Sequence, residues 1–165
     1  MRKSVAPRPL ARQIPVTSER GMTMTTSRAS AVWEGKLRDG RGEFKSGSKT
    51  FQASYSFQTR FEGAAGATPE ELIAAAHAAC LAMALSAGLE KAGTPVTRIN
   101  VDAACTIETV DGAPTITTMA LKVKGKVPGI DHAAFQQAAQ TAKDGCPVSR
   151  ALKGNVAVTL QATLE

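Results

Sequence analysis

Residues 68–93 read TPEELIAAAHAACLAMALSAGLEKAG, and this stretch decides the fold. Its front edge carries a complete helix start. Thr68 suits the N-cap, Pro69 the first helical position, and Glu71 three residues after the cap completes a capping box. Glu70 and Glu71 place negative charge where a helix dipole is positive. Gly93 and Pro95 mark the far end. The predicted helix, from Pro69 to about Lys91, is about 35 Å long and can be the central element of a domain. Leu72 to Leu89 is an 18-residue run without a charge, which reaches the length of a membrane span. Eight of those residues are Ala, which contributes little transfer energy, and His77 and Ser86 lie inside. The run therefore predicts a core helix, with no membrane partner.

Strands flank this helix. Ala29 to Lys36 carries Val32 and Trp33, good strand formers, and leads to a turn at Asp39-Gly40-Arg41-Gly42. Glu43 to Lys45 follows as a short strand. From Thr50 to Phe61 the residues alternate, with Phe51, Ala53, Tyr55, Phe57 and Phe61 on one face and Gln52, Ser54, Ser56, Gln58 and Arg60 on the other. Period two predicts a half-buried strand. After the helix, Val96 to Val110 and Pro114 to Val127 predict a hairpin across Asp111-Gly112. Asp131 can cap a second helix over about His132 to Lys143, and Cys146-Pro147 opens a short helix to about Leu152. Asn155 to Leu164 alternates and predicts a closing strand. The expected order is βββ-α-ββ-αα-β, an α+β domain with antiparallel sheets around the long helix.

The chain has 165 residues, enough for one domain, and a formal charge of +6. That charge is uneven. Residues 1–23 hold five basic residues and one acid, and the body from residue 24 to 165 is left at only +2. Pro7, Pro9 and Pro15 interrupt any amphipathic helix in the tail, and it has no apolar block of the kind a secretory signal needs. The tail reads as a disordered extension, and residues 24–165 as a single domain. Three cysteines are too few, and of the wrong parity, for a disulfide scaffold. Without an export signal the expected compartment is the cytosol, where functional cysteines serve redox or metal chemistry.

Four residues are candidates for chemistry by type and place. Cys80, inside the Ala-rich helix, is either a small core residue or a reactive thiol, and the second role requires a nearby cation. Cys146 sits at a helix start, where free amides suit a thiolate or a simple cap. Cys105 lies on the apolar face of its strand and reads as packing. His77 is three residues before Cys80 and shares its helix face. It can be a core histidine, a partner of the thiol, or a zinc ligand with Cys80 and Cys146. No C-x-x-C spacing supports the metal reading. His132 reads as exposed, and Lys122, Lys124 and Lys126 as a solvated strand face. There is no phosphate-binding glycine loop, and with 4% aromatic residues there is no stacking platform for nucleic acid.

Six blocks together resemble the OsmC/Ohr group of osmotically inducible and organic-hydroperoxide-resistance proteins. They are Trp33-Glu34-Gly35, Thr59-Arg60-Phe61-Glu62-Gly63, Pro69-Glu70-Glu71-Leu72-Ile73, Ala75-Ala76-His77-Ala78-Ala79-Cys80, Val127-Pro128-Gly129-Ile130-Asp131 and Gly145-Cys146-Pro147-Val148-Ser149. The last two blocks and the Arg-Phe-Glu-Gly run resemble the OsmC branch. The resemblance implies a thiol-dependent peroxidase built as an intertwined homodimer. It implies that Cys80 is the peroxidatic cysteine, that Cys146 resolves it, and that Arg60 and Glu70 form the pair that positions and activates the thiolate. The substrate is then a hydroperoxide and the reductant a cellular dithiol, dihydrolipoyl in some relatives, with no metal, haem or flavin.

Geometry adds one condition. Glu70 and Cys80 are ten residues apart on one predicted helix, about 15 Å along its axis. A Glu side chain cannot span that, so either the helix breaks or the site is composite, with Glu70 supplied by a second subunit. The competing readings are a non-enzymatic stress protein with core cysteines, a zinc site, and a nucleic-acid-binding tail.

Overall fold

The structure is a computed structural model that describes residues 25–165. The extension read at residues 1–23 lies outside them. The elements run β1 (Ala29–Glu34), β2 (Arg41–Ser46), β3 (Gln52–Ser56), α1 (Phe57–Phe61), α2 (Pro69–Lys91), β4 (Arg98–Val110), β5 (Ala113–Lys126), α3 (His132–Gly145), α4 (Pro147–Leu152) and β6 (Ala157–Leu164). They form two three-stranded sheets, in the orders β1-β2-β3 and β4-β5-β6.

The capping box on α2 forms as read. The Glu71 amide donates to Thr68 Oγ1 and the Thr68 amide to Glu71 Oε2, both at 3.1 Å. The helix then continues unbroken to Lys91. His77, Leu81, Leu85 and Leu89 are its buried row, at spacing four. The three leucines share one core cluster with Met119, Leu121 and Val123 of β5 and Phe135, Ala139 and Ala142 of α3. Burying one such Leu is worth about 1.5–3 kcal/mol. The opposite face of α2, with Leu72, Ala75, Ala76, Ala79 and Met83, is exposed. The long helix is therefore a core helix on one side only. By length and composition it could also cross a membrane.

The β4–β5 hairpin turns on Asp111 and Gly112, both at positive φ (51° and 78°), the signature of a tight hairpin turn. Two sequence expectations change. The strand read from Thr50 to Phe61 stops at Ser56, and α1 takes over. Ser56 Oγ accepts from the Thr59 amide, Thr59 Oγ1 accepts from the Ser56 amide, and this second capping box overrides the alternation. Arg60 consequently lies on a helix, not on the polar face of a strand. The closing strand also departs from the antiparallel expectation, since β6 runs parallel to β5. The intervening chain contains α3 and α4, and a helical crossover returns a strand in the same direction. The α+β class is unaffected.

Candidate active site

The two cysteines of the helical region meet. Cys80 lies one turn beyond His77 on α2. Cys146 sits between α3 and α4 and is the N-cap of α4. Their sulfurs are 3.1 Å apart, and both thiols are free. Cys146 is fully buried (0% exposed), whereas Cys80 is half-buried. Burial opposes ionisation of Cys146, but the Ser149 amide, the Cys80 thiol, the Val148 amide and the Ser149 hydroxyl outweigh it and bring its pKa below the ordinary thiol value. Cys80 is driven the other way, by burial and by the Cys146 sulfur. Within one chain, then, Cys146 is the more acidic thiol of the pair, and a thiolate on Cys80 calls for a nearby cation.

Arg60 and Glu70 also meet, at the start of α2. Arg60 Nη2 donates to Glu70 Oε1 at 2.7 Å, and Arg60 Nε donates to both carboxylate oxygens at 3.1 and 3.3 Å. This is a bidentate charge-assisted pair. Glu70 is 6% exposed, while Arg60 keeps one edge of its fork open, with Nη1 unbonded among the described residues. The loop geometry that holds the pair is specific. Thr59 Oγ1 also donates to the Ala67 carbonyl, pinning α1 against the entry to α2. Gly66, at φ 148°, lies where a Cβ would come within 2.5 Å of Thr59 Cγ2. Phe61 stacks beside the guanidinium, its ring centre 5.1 Å from Arg60 Cζ. Apolar clefts of about 500 and 200 Å³ adjoin Arg60, lined by Leu37, Phe57 and Phe61 together with Ile107 and Pro114 or with Trp33 and Tyr55.

The structure thus brings the four residues implied by the family resemblance together as two pairs, and α2 keeps the pairs apart. Because the helix is unbroken between Glu70 and Cys80, the pairs stand about 15 Å apart along its axis. Cys105 packs half-buried on β4, and burial and the Glu70 carboxylate both push its thiol up. Lys122, Lys124 and Lys126 are exposed, as is His132. Among the described residues no group of three or more His, Cys, Asp or Glu could hold a metal.

His77 is a core histidine, with Nε2 2.7 Å from Ser149 Oγ. By sequence alone Ser149 has no role of its own beyond its place three residues after Cys146, at the N3 position of α4.

Comparison with known proteins places the chain among relatives of one family. The family model described as OsmC-like protein matches residues 62–161. Peroxiredoxin OsmC of Escherichia coli (strain K12) is 45% identical over 135 residues, covering 81% of this chain and 94% of that one. The organic hydroperoxide resistance protein of Xanthomonas axonopodis pv. citri (strain 306) is 34% identical, covering 74% and 85%. The crystal structure of an organic hydroperoxide resistance protein from Elizabethkingia anophelis superposes with a TM-score of 0.69 at 26% identity, covering 87% of this chain and 99% of that one. Sequence and fold agree, and the chain belongs to the OsmC family of OsmC-like proteins.

Proposed function

We infer that this chain is a thiol-dependent peroxidase that reduces hydroperoxides. The observation that carries the reading is the Cys80–Cys146 pair, two free sulfurs 3.1 Å apart in a relative of peroxiredoxin OsmC.

Exposure supports the division of roles. A peroxide can reach half-buried Cys80 but not fully buried Cys146. Cys80 thiolate attacks the terminal oxygen of the hydroperoxide, the O–O bond breaks, and the alkoxide takes a proton to leave as an alcohol. The product is a Cys80 sulfenic acid. Cys146 attacks that sulfur, the S–O bond breaks, and water leaves. The resulting disulfide is reduced by a dithiol through thiol–disulfide exchange. The cycle uses sulfur chemistry throughout and calls on no prosthetic group.

The thiolate on Cys80 requires the Arg60 guanidinium, which is always charged and offers a planar fork. One chain holds Arg60 too far away. We therefore assign the functional unit to a homodimer in which the second copy covers the exposed apolar face of α2 and brings its Arg60–Glu70 pair beside Cys80. The apolar clefts flanking Arg60 suit the carbon portion of an organic hydroperoxide better than hydrogen peroxide. A cytosolic setting, where thiols stay reduced, completes the proposal.

The test is steady-state peroxide consumption with a panel of hydroperoxides and dithiols. Wild-type protein should turn over and Cys80→Ser should not. Undiminished turnover in Cys80→Ser would reject the assignment, and failure of the wild type on every combination would favour a non-enzymatic protein.

A further inference from the structure

Besides the four residues used so far, a buried polar pair touches this site. His77 occupies the same α2 row as Leu81, Leu85 and Leu89, where an apolar side chain would serve packing. Instead it is an imidazole at 0% exposure. Its Nδ1 is buried without a partner among the described residues, and an unpaired buried polar atom costs about 1–3 kcal/mol. Its Nε2 is hydrogen-bonded at 2.7 Å to the Ser149 hydroxyl, across 72 residues of sequence. Burial lowers the His77 pKa, so the ring is neutral and carries one N–H. Ser149 is the N3 residue of α4 and Cys146 its N-cap, and the Ser149 hydroxyl is one of the groups that favour the Cys146 thiolate. Four groups therefore stand in series, from His77 through Ser149 and Cys146 to Cys80.

We propose that His77 and Ser149 are positioning residues for the resolving step: the His77 Nε2–H holds Ser149 Oγ, and the Ser149 hydroxyl, so oriented, donates to Cys146 Sγ and stabilises the thiolate that attacks oxidised Cys80. The inference rests on the peroxidase reading, in which Cys146 resolves Cys80. In the step itself a Cys146–Cys80 bond forms and the Cys80 S–O bond breaks. Cys146 is oxidised and Cys80 reduced, and the departing hydroxide takes a proton to become water. His77 and Ser149 exchange no electrons. They hold the nucleophile charged and aimed. A bare Nδ1 is the consequence of committing the ring's one N–H to Ser149.

The decisive measurement is the Cys146 titration in a Cys80→Ser, Cys105→Ala background, where it is the sole thiol of the three. Thiolate absorbance reads its pKa without calling on activity. Ser149→Ala should raise that pKa by about one unit, the loss of one hydrogen bond to the charged form. His77→Leu should raise it in the same direction, and His77→Gln, which keeps an N–H donor, should recover part of the shift. The Ser149→Ala, His77→Leu double variant should do no more than Ser149→Ala alone, because the two act in series. With both native cysteines present, Ser149→Ala should slow disulfide formation about threefold, since the smaller thiolate fraction is partly offset by a more basic nucleophile. The trapped sulfenic acid should live correspondingly longer. An unchanged Cys146 pKa in folded Ser149→Ala would overturn the proposal. A wild-type protein that forms no Cys80–Cys146 disulfide on adding hydroperoxide would instead overturn the peroxidase reading.

Discussion

Cys80 and Cys146 hold their sulfurs 3.1 Å apart, although 66 residues separate them in the chain, and neither is bonded to the other. A disulfide needs a sulfur–sulfur distance of about 2.05 Å, so closing the pair takes a movement of about 1 Å. One equivalent of hydroperoxide should therefore remove both thiols together, with no change in far-ultraviolet circular dichroism. Cys146→Ser should complete about one turnover and then over-oxidise at Cys80 to sulfinic acid, which intact mass would show. Loss of one thiol alone in the wild type would refute the pairing.

The Arg60–Glu70 pair should act on Cys80 of a second copy. Arg60→Ala and Cys80→Ser should each be inactive alone. Mixed, refolded together and allowed to pair at random, they should recover about a quarter of wild-type activity. Half the dimers would then be mixed, each with one intact composite site of two. No recovery on mixing, with dimers confirmed by sedimentation, would place Arg60 and Cys80 of one chain in the same site. Arg60→Lys should not rescue, because an ammonium lacks the bidentate fork.

Core packing between α2 and the second sheet should dominate stability. Leu85 is 0% exposed, and Leu85→Ala should cost about 2–5 kcal/mol in urea unfolding. Met83, on the open face of the same helix and 75% exposed, offers a contrast. Met83→Ala should leave the stability of an isolated chain within about 0.5 kcal/mol and weaken only dimer association. A fall in stability at constant dimer content would contradict the open face.

His77 gives stability a specific pH dependence. Burial lowers its pKa in the folded chain, so the unfolded chain binds a proton there first, at about pH 6.5. Stability should be full above that value and fall as the pH drops below it, at up to about 1.4 kcal/mol per pH unit, until the folded-state pKa is reached. Urea midpoints at pH 7.5 and 5.5 measure the effect. His77→Gln should flatten it, and an equal slope in that variant would show that other groups are responsible.

Much of this was legible in residue order because the signals are local. The cap at Thr68, the Asp111-Gly112 turn and the Pro147 helix start each depend on a few neighbouring residues, and each stands where it was read. The segment after Ser56 departs from the expected strand because two local signals compete there. Its alternation favours a strand, whereas Ser56 and Thr59 can satisfy each other's amides, and those hydrogen bonds win. The direction of β6 could not be read, since alternation carries no sign of parallel or antiparallel pairing.

By itself the sequence determined the helix that carries Cys80, the family blocks, and the separation of Glu70 from Cys80 along one axis. Those follow from backbone periodicity and the fixed helical rise. Only the tertiary structure decided that Cys146 lies against Cys80, that Arg60 grips Glu70 from a helix, and that Ser149 meets the imidazole of His77. Each of these contacts joins residues from different elements. They form because packing α3 and α4 onto α2, and α1 onto its start, buries apolar surface. The polar groups carried inside must then find partners.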